Sequence, residues 1–167
     1  DGVVGVAPEA RIYALKVLEG GTGSYSDVIA AIQWAVDNGM QVTNNSYGSS
    51  GDPGELVKAA FDAAYYTYGV LHVAAAGNNG NPPGRGDNVI YPARWDSVIA
   101  VAATDESDNR ARWSSTGLDV ELSAPGVNIN SILPGGDYVR MSGTSMASPH
   151  VAGTAALVIT AGITGNG

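Results

Sequence analysis

The sequence contains no cysteine, which excludes a disulfide framework, a thiol nucleophile and cysteine-ligated zinc, and says nothing of the compartment. Basic residues are scarce: 8 Lys and Arg stand against 16 Asp and Glu, a formal net charge of -8. No cluster could neutralise a row of phosphates, which argues against nucleic-acid and anionic-membrane partners. The acidic balance reads as an ordinary solvated surface and names no partner. No apolar run reaches the length of a membrane span, and Asp1-Gly2-Val3-Val4-Gly5-Val6 has neither the basic start nor the apolar length of a signal peptide. There is no initiator Met, so the chain is expected to begin after a segment that has been removed.

What is present suffices for a core. Hydrophobic residues make up 44% of 167 positions, far from the composition of disorder and enough for one domain or a large part of one. Residues 11–18 (RIYALKVL) read as a strand running into the Gly-rich stretch 19–23. A helix follows, with Ser24 as cap, Val28, Ile32, Ala35 and Val36 at helical spacing, and Gly39 at a left-handed stop. A strand is expected at 41–47. Asp52, Pro53 and Glu55 then read as a capping acid, a first-turn proline and an acid reaching back, opening a helix that Gly69 ends. Residues 70–76 (VLHVAAA) have the pattern of a strand covered on both faces. Further strands are expected at 97–103, 119–123 and 128–133. The small, apolar, all-round composition after residue 143 predicts a buried helix. Strands alternating with helices imply crossovers and a mainly parallel sheet, an α/β three-layer fold.

Ser145 stands at the start of that last helix, flanked by Gly143 and Ala147. A turn there can present a hydroxyl where helix N–H groups stabilise developing negative charge. A lone serine in that place would more simply be a cap. The surrounding string GTSMASPH, from Gly143 to His150, resembles the nucleophile motif of the subtilase family. Ala74-Ala75-Ala76-Gly77-Asn78 resembles its second hallmark, an apolar strand ending in Gly-Asn. Gly5-Val6-Ala7-Pro8, Tyr91-Pro92-Ala93, Ser97-Val98-Ile99-Ala100-Val101 and Ser123-Ala124-Pro125-Gly126 follow in the family's order.

The resemblance implies a partial subtilase catalytic domain over 1–167, truncated at both ends. It implies a serine endopeptidase that forms an acyl-enzyme on Ser145, with Asn78 donating into the oxyanion hole, a task that suits an uncharged amide. An extended polypeptide substrate would lie between Gly21-Thr22-Gly23 and Ser46-Tyr47-Gly48 by strand addition. Ser46 to Ser49 together with Ala75, Ala76, Gly77 and Asn78 would wall the primary pocket. Tyr25, Val28 and Tyr47 would line a second, apolar pocket, or else simply pack the helix. The family supplies its triad in the order Asp, His, Ser, and the expected Asp-Thr/Ser-Gly and His-Gly-Thr surroundings occur nowhere here. Of the two histidines, His150 matches a helix position of the motif and His72 reads as a core or edge histidine satisfied by a local hydrogen bond. The isolated chain is therefore expected to be nearly inactive.

No cofactor is required for the chemistry, and no metal ligand is assigned. The family's tight calcium site would lie largely outside this chain, with Asp1-Gly2-Val3 as its tail. Carbonyls of Ala93, Trp95 and Val98 form either a weaker cation site or an ordinary turn. Secretion, a monomeric state, a propeptide and a missing N-terminal segment as partners are implied by the resemblance alone. Asn44-Asn45-Ser46 meets the glycosylation pattern, in a strand where a glycan would block substrate. Two other readings stand beside the protease: a catalytically dead peptide-binding module of the same fold, and a nucleotide-binding α/β domain. The second lacks a G-x-G-x-x-G pattern between strand and helix.

Overall fold

The structure, a computed structural model, describes residues 2–163. The apolar runs form four strands: β1 (Val42–Asn45), β2 (Leu71–Ala75), β3 (Val98–Thr104) and β4 (Val120–Pro125). They hydrogen-bond in the order β1-β2-β3-β4, and every pair is parallel. Helices α1 (Tyr25–Asp37) and α2 (Glu55–Asp62) cover one face of this sheet, and α3 (Thr144–Thr160) covers the other. Side chains alternate across a strand, so the core divides in two. Ala74, Ala76, Val98 and Ala100 pack with Ile32 and Phe61, while Val73, Val101 and Ala103 pack with Ala147. The result is the three-layer α/β arrangement with a parallel sheet.

Helix α1 begins where its cap predicts. The Asp27 N–H donates to Ser24 Oγ at 3.2 Å, and Gly39 takes φ 66 beyond the last turn. Ser24→Ala removes that acceptor and is expected to destabilise the fold by about 1 kcal/mol. Urea unfolding checks this, and Ser24→Asp should restore the loss.

Four expectations are corrected. Residues 11–18 form no ladder; Ile12 is 90% exposed, and Tyr13, Leu15 and Leu18 are also exposed. Branched residues favour a strand only where an edge accepts their main chain. Here a hollow of 710 Å³, lined by both Ile12, Tyr13, Leu15 and Val42, Thr43, Asn45, lies beside β1. The second helix is entered through Gly54, at φ 92, and has no side-chain cap. Asp52 Oδ1 instead accepts the Gly54 N–H at 2.8 Å, so the carboxylate closes a turn one step before the helix. The α2 helix then runs into a π-helical turn, Ala63–Thr67, before Gly69.

Helix α3 is buried at Thr144, Ala147 and Ser148, but Leu157 and Val158 are exposed. Among the described residues the outer face of its last turns is bare, while Ala155, Ala156 and Ile159 are half-buried, and composition alone cannot tell which face is covered. Finally, Ile129–Ile132 (β5) is joined by an unforeseen antiparallel partner, Tyr138–Met141 (β6). Gly135 and Gly136, both at positive φ in the connecting turn, were the hairpin signal.

Candidate active site

Ser145 is the second residue of α3, so its N–H lies in the first turn, where no intrahelical acceptor exists. The approach to that turn needs a glycine at 126. Gly143 N–H donates to the Gly126 carbonyl at 2.9 Å, and a Cβ at Gly126 would sit 2.5 Å from Ala103 Cβ and 2.8 Å from the Gly143 oxygen. Strand β4 can therefore hand its end directly to the serine turn.

Pro149 lies inside α3 and has no N–H for the carbonyl four residues back, which is that of Ser145. Ser46 Oγ fills the vacancy, donating to the Ser145 oxygen at 2.8 Å. In return Ser145 Oγ donates to the Ser46 carbonyl at 3.1 Å. Asn44, on the same face of β1, accepts from Ser148 Oγ at 2.7 Å. The end of β1 is thus bonded to the first turns of α3.

Asn78 follows β2, and its side-chain orientation is determined by Thr144. Both the Thr144 N–H (2.9 Å) and Thr144 Oγ1 (3.0 Å) donate to Asn78 Oδ1. Thr144 Oγ1 accepts in turn from the Gly77 N–H at 3.1 Å, and Thr144 is wholly buried. With the carbonyl end of the amide held by two donors, Nδ2 is the free end. Among the described residues it donates to no protein group, and it lies 3.7 Å from where a Cβ on Gly143 would be. One uncommitted amide donor and one uncommitted helix N–H therefore lie at the serine turn, and an oxyanion needs two such donors. Thr144, which sets this orientation, carries no signal of its role in the sequence.

The predicted substrate residues fall into two groups. Gly21, Thr22, Gly23, Tyr25, Val28, Ser46, Tyr47 and Gly48 line one cavity of 440 Å³, joined there by Phe61, Tyr91 and Trp95, for which the sequence suggested no pocket role. Ala75, Ala76 and Gly77 are buried at the end of β2 beside Asn78. Their main chain is largely engaged: Ala76 N–H bonds Val101 O, Ala76 O accepts from Ile90 N–H, and Gly77 O accepts from Ser115 N–H. They can wall a pocket but cannot pair with a peptide there. Thr22 is likewise committed, its N–H and carbonyl both bonded to Glu19, which leaves strand addition on that side to Gly21 and Gly23.

Neither histidine reaches the serine. His150 Nδ1 lies 2.8 Å from the Met146 carbonyl of its own helix. His72 is completely buried on the opposite face of the sheet; its Nδ1 is 2.6 Å from Thr43 Oγ1, and its Nε2 has no well-formed hydrogen bond. Burial pushes its pKa down to about 4. Burial alone would raise the nearby Asp62 carboxyl, but hydrogen bonds from Lys58 and Ser97 outweigh it and hold that group below its ordinary value. Among the described residues no imidazole or carboxylate is hydrogen-bonded to Ser145 Oγ, and no three His, Asp or Glu side chains gather as a metal site. Trp95 O accepts the Val98 N–H at 2.9 Å, closing a turn; Asp1 lies outside the described residues. No helix is long and apolar enough to cross a membrane among those residues.

Comparison with known proteins gives the family and the fold's relatives. The model of the subtilase family matches residues 1–163. Subtilisin DY of Bacillus licheniformis is 49% identical over 95% of this chain and 57% of its own length. A thermostable alkaline protease of Halalkalibacterium halodurans is 49% identical over 94% of this chain and 42% of its own. Among solved structures, the prenylagaramide maturation protease PagA superposes with a TM-score of 0.79 at 32% identity, covering 96% of this chain and 60% of that one. The chain spans about half the length of the curated relatives it matches.

Proposed function

Because the chain belongs to the subtilase family, we propose that it carries the nucleophile and oxyanion hole of a secreted serine endopeptidase. Ser145 Oγ attacks the carbonyl carbon of a bound peptide. The C–O π pair moves onto the oxygen, where Asn78 Nδ2–H and Ser145 N–H receive it. Collapse breaks the C–N bond, the amine leaves with a proton, and water then hydrolyses the acyl-serine ester. The observation that carries this reading is the Asn78 amide, locked by Thr144 with its donor end free beside Ser145.

The Oγ proton needs a base, and the base an orienting carboxylate. We assign both to a segment outside these residues, so the 167-residue chain alone should retain only binding and oxyanion contributions, on the order of a thousandfold over water. Labelling with a serine-directed fluorophosphonate tests the reading. The protein at its natural length should label rapidly and Ser145→Ala should not, while the folded 167-residue chain labels slowly or not at all. Natural-length protein that fails to label yet still binds peptides would be a peptide-binding module instead.

A further inference from the structure

We propose that Tyr47, Asn45, Thr43 and His72 form a hydrogen-bonded relay that holds the Tyr47 ring as the selecting wall of the 440 Å³ cavity. Asn45, Thr43 and His72 are then specificity-positioning residues behind that wall. The inference rests on the peptide-binding reading above and names how one of its pockets is set.

The placement follows from strand geometry. Side chains at i, i+2 and i+4 share one face of an extended chain. Thr43, Asn45 and Tyr47 therefore point to the α1/α2 side, while Asn44 and Ser46 point to the serine side. In the parallel register Thr43 pairs with His72, which brings the imidazole to the end of the row. Tyr47 Oη donates to Asn45 Oδ1 at 2.9 Å. Asn45 Nδ2 donates to Thr43 Oγ1 at 3.0 Å and to the Val73 carbonyl at 3.2 Å.

The chain is continuous when the neutral ring carries its proton on Nε2: Thr43 Oγ1 then accepts from Asn45 and gives its own proton to His72 Nδ1 at 2.6 Å. Every link runs in one direction, from the pocket wall to the buried imidazole. Asn45 and His72 are 3% and 0% exposed, so none of their polar atoms can be exchanged for water without cost. Phe61 closes the structure from the other side, lining the cavity with Tyr47 and meeting the His72 ring at 4.9 Å.

A strand face of this kind is normally filled by apolar side chains. Three consecutive polar side chains between the sheet and α2 are a costly way to fill a core. What the relay adds is direction: a tyrosine hydroxyl anchored at its far end cannot swing its ring across the pocket. The ligand class is an apolar or aromatic peptide side chain, since Tyr25, Val28, Tyr47, Phe61 and Trp95 make the walls. A fixed ring discriminates by size, and a released one would collapse onto a small side chain.

The test is a positional scan of hexapeptides carrying Ala or Phe at each position in turn, cleaved by the protein at its natural length. The readout is the Phe-to-Ala ratio of kcat/KM at the most discriminating position. Tyr47→Phe, which keeps the ring and removes its anchor, should lower that ratio about fivefold, the fold-change of one ordinary hydrogen bond. Thr43→Val, remote from the peptide, should lower it similarly, and the double variant should fall no further than either single one. His72→Asn keeps an acceptor for Thr43 and should hold the ratio, whereas His72→Leu should lose it. A residue that merely packs would move the melting temperature and not the ratio. The relay is overturned if Thr43→Val and His72→Leu leave the ratio within twofold, or if the two single effects multiply. If the unmodified protein cleaves none of the hexapeptides, the peptidase reading itself has failed and the relay goes with it.

Discussion

Replacing Asn78 with leucine in the natural-length protein is expected to lower kcat two to three orders of magnitude while KM changes little. That range is the one subtilases and similar enzymes show for a single oxyanion donor. What this structure supplies is the reason the donor is ready. Among the described residues Asn78 Nδ2 has no protein partner, and its carbonyl end is already bonded to Thr144 twice. No reorganisation is needed when charge develops on the substrate oxygen, so the bond strengthens in the transition state and adds little to ground-state binding. Leucine also strips Thr144 of its acceptor, which could loosen the serine turn and mimic a catalytic loss. Asn78→Asp separates the two effects. It keeps an acceptor for both Thr144 donors and lacks the amide donor, so kcat should fall at least as far as with leucine. Recovery of kcat in Asn78→Asp would assign the loss to the serine turn, and a rise in KM at constant kcat would make the amide a substrate-binding group.

Periodicity and local strings carried most of the fold and the two central site residues. The run at 70–76 is continuous because β2 is buried on both faces, and GTSMASPH locates Ser145 because its turn chemistry is local: a glycine before the helix, a proline inside it. What could not be read depends on partners far away in the chain. Residues 11–18 have a strand's composition, but a ladder is a property of two segments. Thr144 resembles any helix-start threonine until β2 delivers Asn78 to it across 66 positions. His72 was expected to be satisfied by a local hydrogen bond. It is bonded at Nδ1 to Thr43, 29 positions away, because the parallel register sets those two residues side by side. Phe61, Tyr91 and Trp95 were not legible as cavity walls, because an aromatic at the margin of a core can serve packing and pocket with one pattern.

Acid should destabilise this protein through His72. Burial lowers the folded-state pKa of His72 to about 4 from an ordinary 6.5. Between those values the unfolded chain binds a proton that the native chain does not, so stability falls as pH falls. Above pH 6.5 the ring is neutral in both states and the contribution is whole; below about 4 both states are protonated and the loss is complete. The full difference is about 3 kcal/mol, most of it gone by about pH 4.5. Asp62, the charge facing the ring, does not reverse this sign. Its carboxylate favours the imidazolium, but it is already occupied by Lys58 and Ser97. Its own folded-state pKa lies below 3.8, so the stability it contributes is lost only at lower pH than the His72 window. Urea unfolding of the unmodified protein and of His72→Asn, at about pH 7 and about pH 4.5, isolates the effect because other carboxylates titrate alike in both. The unmodified protein should lose about 2–3 kcal/mol more than the variant over that interval. Equal losses would mean that the imidazole takes up its proton in the folded state near its ordinary pKa. A charged ring donates from Nδ1, which would turn the Thr43 bond around and break the one-way chain leading to Tyr47 at mildly acidic pH.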